Sequence, residues 1–215
     1  MTATEPGKIS AQAVAADIEM IRRALLAGDP LSEIRNPHVE SPVPEATRQS
    51  ARASSVLIAI TDEPQPQVLL TKRQVGIRFG GHLCFPGGIA DPGETVIQTA
   101  LREAEEEIGL VADQVEVLGS FGCYFSQAGY RIDPVVGVVA PDFNYTPEPS
   151  EVASIHWVPL EEMLNPASYK LTLMREERGY FGFDNHEIHV GGPTVSLMIG
   201  LLEWLHLTGQ MAEAR

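Results

Sequence analysis

The chain has 215 residues, 44% of them hydrophobic, with a formal net charge of −14 and a pI near 4.8. This composition supports a full core in one domain with an extension and argues against intrinsic disorder. The acidic balance argues against a nucleic-acid binder, no run approaches the roughly 18 apolar residues of a membrane span, and the N-terminus lacks a basic-then-apolar leader.

Residues 1–50 read as an N-terminal extension, 51–208 as the main domain and 209–215 as a tail. Residues 1–8 are expected to be mobile. Residues 9–27 read as an amphipathic helix, with Val14, Ile18, Ile21 and Leu25 on one stripe, ended by Asp29-Pro30. It is expected to pack on the chain's own core, and residues 36–46, rich in proline, should be extended. Residues 55–61 and 67–71 then read as strands joined by a polar turn, and 83–85 as a short strand delivering a glycine loop. Lys72, Arg73 and Arg78 form the densest basic cluster near that loop, and Arg131 is a further candidate member. Arginine suits bidentate phosphate recognition, whereas lysine acts more as a point charge. The plainer reading is that Lys72 and Arg73 cap a strand end. His82, just before the short strand, reaches phosphate only if it points into a cleft; otherwise it is a surface or capping residue.

Residues 95–108 contain neither Gly nor Pro and are followed by Gly109, a helix stop signal, while Asp91 to Glu94 supply a turn before them. At about 100° per residue, Glu103, Glu106 and Glu107 share one arc. Ile97, Ala100, Ala104 and Ile108 form the adjoining apolar stripe, so the acids sit at the shoulder between core and solvent. Like charges at this spacing cost an isolated helix roughly 0.2–0.5 kcal/mol per pair, and a cation would offset that. An all-oxygen donor set suits Mg²⁺ or Mn²⁺ bridging to substrate phosphates. A lone acidic run would more simply be a solvated helix face; here the whole spaced set agrees, G-x5-E-x7-R-E-x-x-E-E-x-G from Gly88 to Gly109.

Further along, residues 115–124, 130–140 and 155–158 read as strands, with 125–129 as a substrate-facing loop between the first two. A short helix near 160–164 and a closing core helix over 193–207, carrying Val195, Met198, Leu201, Leu202 and Leu205, complete the domain. Cys84 and Cys123 have no metal-like neighbours and fit a reduced, cytoplasmic setting as small buried residues. His38, His156, His186, His189 and His206 are scattered without transition-metal spacing.

The 23 positions from Gly88 to Leu110 resemble the signature of the Nudix hydrolases. That resemblance implies an α/β class fold, an α/β/α sandwich with a mixed β-sheet, here with an N-terminal helical extension. It also implies Mg²⁺- or Mn²⁺-dependent hydrolysis of a nucleoside diphosphate linked to another group. By position, Glu103, Glu106 and Glu107 would be the metal carboxylates, Arg102 would orient them, and Gly87 and Gly88 would allow close backbone approach. Upstream, Leu69-Leu70-Thr71-Lys72-Arg73, Arg78, Gly81 and Phe85-Pro86-Gly87-Gly88 resemble the extra signature of coenzyme A pyrophosphatases. Gln74 departs from the usual Ser or Ala, and the Arg78 to Gly81 interval is one residue short. The likeness continues through Tyr130 to Gly137, Glu151 to Leu160 and Gly192-Pro193-Thr194, and implies coenzyme A or a derivative as substrate. ADP-ribose or another nucleoside diphosphate derivative is the alternative. A non-catalytic sensor on the same fold is a third reading, although sensors show eroded metal carboxylates and these are intact. Glu106, on the metal face, and Glu151, in a distant loop, are both candidates for the general base. Relatives make a homodimer plausible.

Overall fold

The computed structural model describes residues 7–9, 11–15, 17–27, 31–174, 178–185 and 187–213, with side chains through residue 209. The expected helix end at Asp29-Pro30, His186, and the ends at 1–6 and 214–215 lie outside the described residues.

A mixed eight-stranded sheet is the spine of the domain. It comprises β1 (Arg52–Thr61), β2 (Gln67–Arg73), β3 (Leu83–Cys84), β4 (Gly87–Ile89), β5 (Val115–Ser120), β6 (Tyr124–Phe125), β7 (Tyr130–Val139) and β8 (Val152–Pro159). The main path runs β3-β2-β1-β7-β5, with β4 added to β1, β6 to β7 and β8 to β2. β1 and β7 pair in parallel from Arg52–Tyr130 to Thr61–Val139, while the remaining pairs are antiparallel. A second, three-stranded sheet of β9 (Tyr169–Leu173), β10 (Gly179–Asp184) and β11 (His189–Val190) was not foreseen from sequence.

Strand periodicity sorts the core into two layers. Leu57 and Ala59 of β1, with Leu69, Val135 and Val139, pack against Ala100, Ala104 and Ile108 of helix α3 (Val96–Ile108). Ile58 and Ile60, with Val68, Leu70, Val136 and Val138, face the opposite layer. There they meet α1 (Ile18–Ala27) and α5 (Gly192–Glu213). The resulting α/β/α sandwich is the expected architecture. Among the described residues no helix is long and apolar enough to cross a membrane.

Several boundaries differ from expectation for local reasons. α1 starts at Ile18 rather than residue 9, because Asp17 caps it: its Oδ1 accepts the Glu19 N–H at 2.9 Å. Ile18, Ile21 and Leu25 are buried as expected, while Val14 packs from irregular chain whose N–H donates to the Leu164 carbonyl. Gly7 and Lys8 are held rather than loose: Gly7 N–H donates to Pro37 O at 3.0 Å, and Lys8 O accepts from Arg35 at 2.8 Å. The segment read as extended closes with a short helix, α2 (Glu45–Gln49). The strand expected over 115–124 breaks after Ser120, where Gly122 lies in a left-handed conformation and any Cβ there would press on Leu31. A fourth helix, α4 (Leu160–Met163), and the closing helix lie where expected. Both cysteines are free; Cys123 is buried, while Cys84 is only half-buried.

Candidate active site

Helix α3 begins with a reciprocal cap. Thr95 Oγ1 accepts from Gln98 N–H at 3.3 Å, and Gln98 Oε1 accepts from Thr95 N–H at 2.9 Å. Gly109, at φ 70°, ends it in the left-handed conformation that glycine adopts without steric penalty. The core-facing stripe is buried Ala100, Ala104 and Ile108 with partly buried Val96; Ile97 is 41% exposed and does not belong to it, since i, i+4 spacing selects Val96. Glu107 lies next to this stripe and is 2% exposed.

Arg102 organises the acidic face. Its Nε donates to Glu94 Oε1 at 2.7 Å and Nη2 donates to Glu94 Oε2 at 3.0 Å, a bidentate pair. Nη1 bridges Glu103 Oε1 and Glu106 Oε2, each at 2.9 Å, and Nη2 also reaches the Ile89 carbonyl. The guanidinium hydrogen bonds hold the Glu94 carboxyl down at about 2. Glu103 is half-buried and its pKa is raised by that burial; Glu107 is pushed up to about 8, again chiefly by burial. Arg73 Nη1 lies 3.5 Å from Glu107 Oε1 and opposes the shift, and the Gly87 N–H points at Oε2 from 3.4 Å.

These groups open onto a cleft of about 810 Å³, lined among others by Arg52, Arg73, Arg78, Glu103, Glu107 and Glu151. That volume is within the range of about 300–1,000 Å³ usual for small-molecule sites. Gly87 and Gly88 let the α3 carboxylates reach it. A Cβ on Gly88 would overlap the Glu103 carboxylate, and one on Gly87 would overlap Ser55 O and approach Val56 Cα to 2.7 Å. Glu151 interacts electrostatically with both Glu103 and Glu107. Glu106 lies outside the cleft lining, its side chain 59% exposed and tied to Arg102.

The basic candidates divide. Arg73 and Arg78 line the cleft and are linked, Arg73 Nε donating to the Arg78 carbonyl at 3.2 Å. Lys72 does not line it: β2 shifts register between Lys72 and Arg73 against β8, and Lys72 comes within electrostatic reach of His156. Arg131 is likewise outside, paired with Asp133 at 3.0 Å, because Tyr130 and Ile132 take the cleft face of β7. His82 lines the cleft, as do Ser126, Gln127 and Ala128 of the loop expected to face substrate.

Sequence reading missed Arg52, Tyr130 and Phe79. Strand parity could have found the first two, since even-numbered positions of β1 and β7 share the α5 side. Phe79 is a large apolar residue within Gly-rich Gly76-Ile77-Arg78-Phe79-Gly80-Gly81. It is half exposed and has φ 61°, the one positive φ at a non-glycine among the described residues. For an L-residue that conformation costs roughly 1–2 kcal/mol.

The fold and this cleft define an α/β/α sandwich in which the helix carboxylates Glu103 and Glu107 and the arginines Arg73 and Arg78 share one cleft. The chain matches the NUDIX domain model over residues 51–178 and belongs to the Nudix hydrolase family. It is 42% identical over 130 residues to a Photorhabdus laumondii protein described as "Uncharacterized Nudix hydrolase NudL", a match covering 60% of this chain and 70% of the relative. The protein of the same description from Yersinia enterocolitica is 38% identical over 146 residues, covering 66% and 75%. Among solved structures, a Nudix hydrolase from M. smegmatis, RenU, aligns with TM-score 0.42 and 26% identity, covering 52% of this chain and 73% of that one.

Enzymes of this family generally use divalent cations such as Mg²⁺ or Mn²⁺. Among the described residues no three His, Cys, Asp or Glu side chains are gathered tightly enough to hold an ion. The donor chemistry nevertheless fits one. Glu103 and Glu107 offer oxygen ligands to one cleft, and Glu107 is buried with a single distant cation, which leaves its charge under-compensated.

Proposed function

We propose that this protein hydrolyses the diphosphate bond of coenzyme A or its derivatives, giving 3′,5′-ADP and 4′-phosphopantetheine. One observation carries the reading: Arg73 and Arg78, from the segment resembling the coenzyme A pyrophosphatase signature, line the same cleft as Glu103 and Glu107, with Arg73 against Glu107. Arg73 and Arg78 bind the diphosphate oxygens, a task suited to guanidinium groups. Glu103 and Glu107 would hold Mg²⁺ or Mn²⁺, with Glu106 as a further candidate ligand, and the ion would supply charge neutralisation at the phosphates. Arg102 positions Glu103 and Glu106.

Hydrolysis forms a bond between a water oxygen and phosphorus and breaks the bond to the bridging oxygen, which leaves with the electron pair. The water's proton goes to Glu151, which lines the cleft beside Glu103 and Glu107; Glu106 is the less suited acceptor because it is bound to Arg102 outside the lining. The test is kcat/KM for coenzyme A, dephospho-coenzyme A, ADP-ribose and NADH, with Mg²⁺, with Mn²⁺ and with EDTA. Coenzyme A should lead the series, and EDTA should abolish turnover. A strong preference for ADP-ribose would defeat the substrate assignment while leaving the carboxylate roles intact.

A further inference from the structure

The cleft wall next to the phosphate-binding arginines is an alternating stack of rings and guanidinium groups. The Arg78 guanidinium carbon lies 4.9 Å from the Phe79 ring centroid and 5.2 Å from that of Tyr130, and Arg78 Nη1 donates to the Tyr130 hydroxyl at 2.7 Å. Arg52 lies over Tyr130 at 5.9 Å. His82 meets the Phe79 ring edge-on at 6.5 Å. All five residues line the cleft.

Phe79 has two properties that packing does not explain. The ring stays half exposed, so little apolar surface is gained by placing it there. Its backbone is left-handed, although glycines stand at 76, 80 and 81 in the same loop, two of them with positive φ. A glycine at 79 would adopt that conformation without strain, so the loop holds an aromatic ring at an energetic disadvantage. Strain of this kind persists where a site uses it. The position is equally specific: Glu107 meets Arg73, Arg73 donates to the Arg78 carbonyl, and Phe79 follows directly.

We infer that Phe79 is a stacking platform for the nucleobase of a nucleotide whose phosphates lie on Arg73 and Arg78, with Tyr130 flanking it. This deepens the hydrolase reading above, on which it rests for the orientation of the ligand. A planar heterocycle is the matching chemistry, because stacking on an exposed ring is tolerant of base identity and does not require burial of the platform.

The experiment measures equilibrium binding of AMP and of ribose 5-phosphate, which lacks the base, to the full chain in Mg²⁺. Wild type, Phe79→Gly, Phe79→Leu and Phe79→Tyr are compared, with the melting temperature of each. AMP affinity should fall about tenfold or more in the Gly and Leu variants and be retained in the Tyr variant. Ribose 5-phosphate affinity should not change, and Phe79→Gly should melt no lower than wild type. Undetectable AMP binding to wild type, unchanged AMP affinity in the Gly variant, equal losses for both ligands, or a lower melting temperature for Phe79→Gly would each overturn the platform. Coenzyme A turnover is measured on the same wild-type sample. Phe79-dependent AMP binding without that turnover sinks the substrate assignment alone; turnover with Phe79-independent AMP binding sinks the platform alone.

Discussion

At Glu107, burial and charge oppose each other. The side chain sits on the core edge of α3, and burial lifts its pKa to about 8, with Arg73, at 3.5 Å, and the Gly87 N–H drawing it back. A carboxyl in that state is held partly protonated at neutral pH, and a divalent cation would displace the proton and complete its partners. Glu107→Gln keeps the shape and an oxygen to accept the Gly87 N–H, but removes the charge. The variant is therefore expected to stay folded, to melt no lower than wild type in EDTA at pH 7, and to lose about 10²-fold or more in kcat. Mg²⁺ should raise the melting temperature of wild type and raise that of the variant less, because an ion bound only by the native state stabilises it. Thermal melts with and without Mg²⁺, beside steady-state kinetics, check both halves; equal Mg²⁺ shifts in the two proteins would remove Glu107 from the ion's ligands.

At the scale of elements, strand β4 separates stability from activity within two residues. A Cβ on Gly87 meets backbone, Ser55 O and Val56 Cα, which cannot move without parting β4 from β1. A Cβ on Gly88 meets the end of the Glu103 side chain, which can rotate away. Gly87→Ala should thus lower the denaturation midpoint substantially, whereas Gly88→Ala should fold near-normally and lose most of its turnover. Chemical denaturation and activity on the same samples test this, and a Gly88→Ala enzyme with full activity would show that Glu103 need not lie where it does. Both glycines were legible in the sequence because they belong to a spaced set that ends in a capped helix. The same applies to β1, β2 and β7, whose apolar runs are buried on both faces and read as strands from their continuous hydrophobicity. The three-stranded sheet was not legible: β9, β10 and β11 are short, Gly179 and Gly182 interrupt any alternation in β10, and β9 leaves Lys170, Thr172 and Leu173 exposed. Within the site, the carboxylates and Arg73 could be read from spacing, whereas excluding Lys72 and Arg131 required knowing which face of each strand meets the cleft. Phe79 carries no periodic signal; its conformation emerges only from the folded loop.

Across the whole molecule, hydrogen bonds tie the described part of the N-terminal extension to the rest of the chain. Val39 pairs with Gly179 by two backbone hydrogen bonds, of 2.8 and 2.9 Å, and Gln127 of the cleft loop donates to Ser41 O at 2.6 Å. Buried His38 joins the extension to both the second sheet and the closing helix. Its Nδ1 accepts the Phe181 N–H at 3.0 Å, so in the neutral ring Nε2 carries the proton and donates to Ser196 Oγ at 3.1 Å. Protonating Nδ1 would set two donors against each other, and burial lowers the His38 pKa despite the opposing influence of the Gly192 backbone and of Glu40. The unfolded chain, with an ordinary histidine near 6.5, therefore takes up a proton in a range where the folded chain does not. Stability from this group is fully present above about pH 6.5 and declines as pH falls toward the lowered folded value. His38→Gln offers a neutral acceptor and donor at every pH, so its unfolding free energy should vary less between pH 7 and 5 than that of wild type. Urea unfolding at half-unit pH steps measures the difference. Parallel curves for the two proteins would mean that acid sensitivity lies in other groups and that the extension is not held through a neutral imidazole.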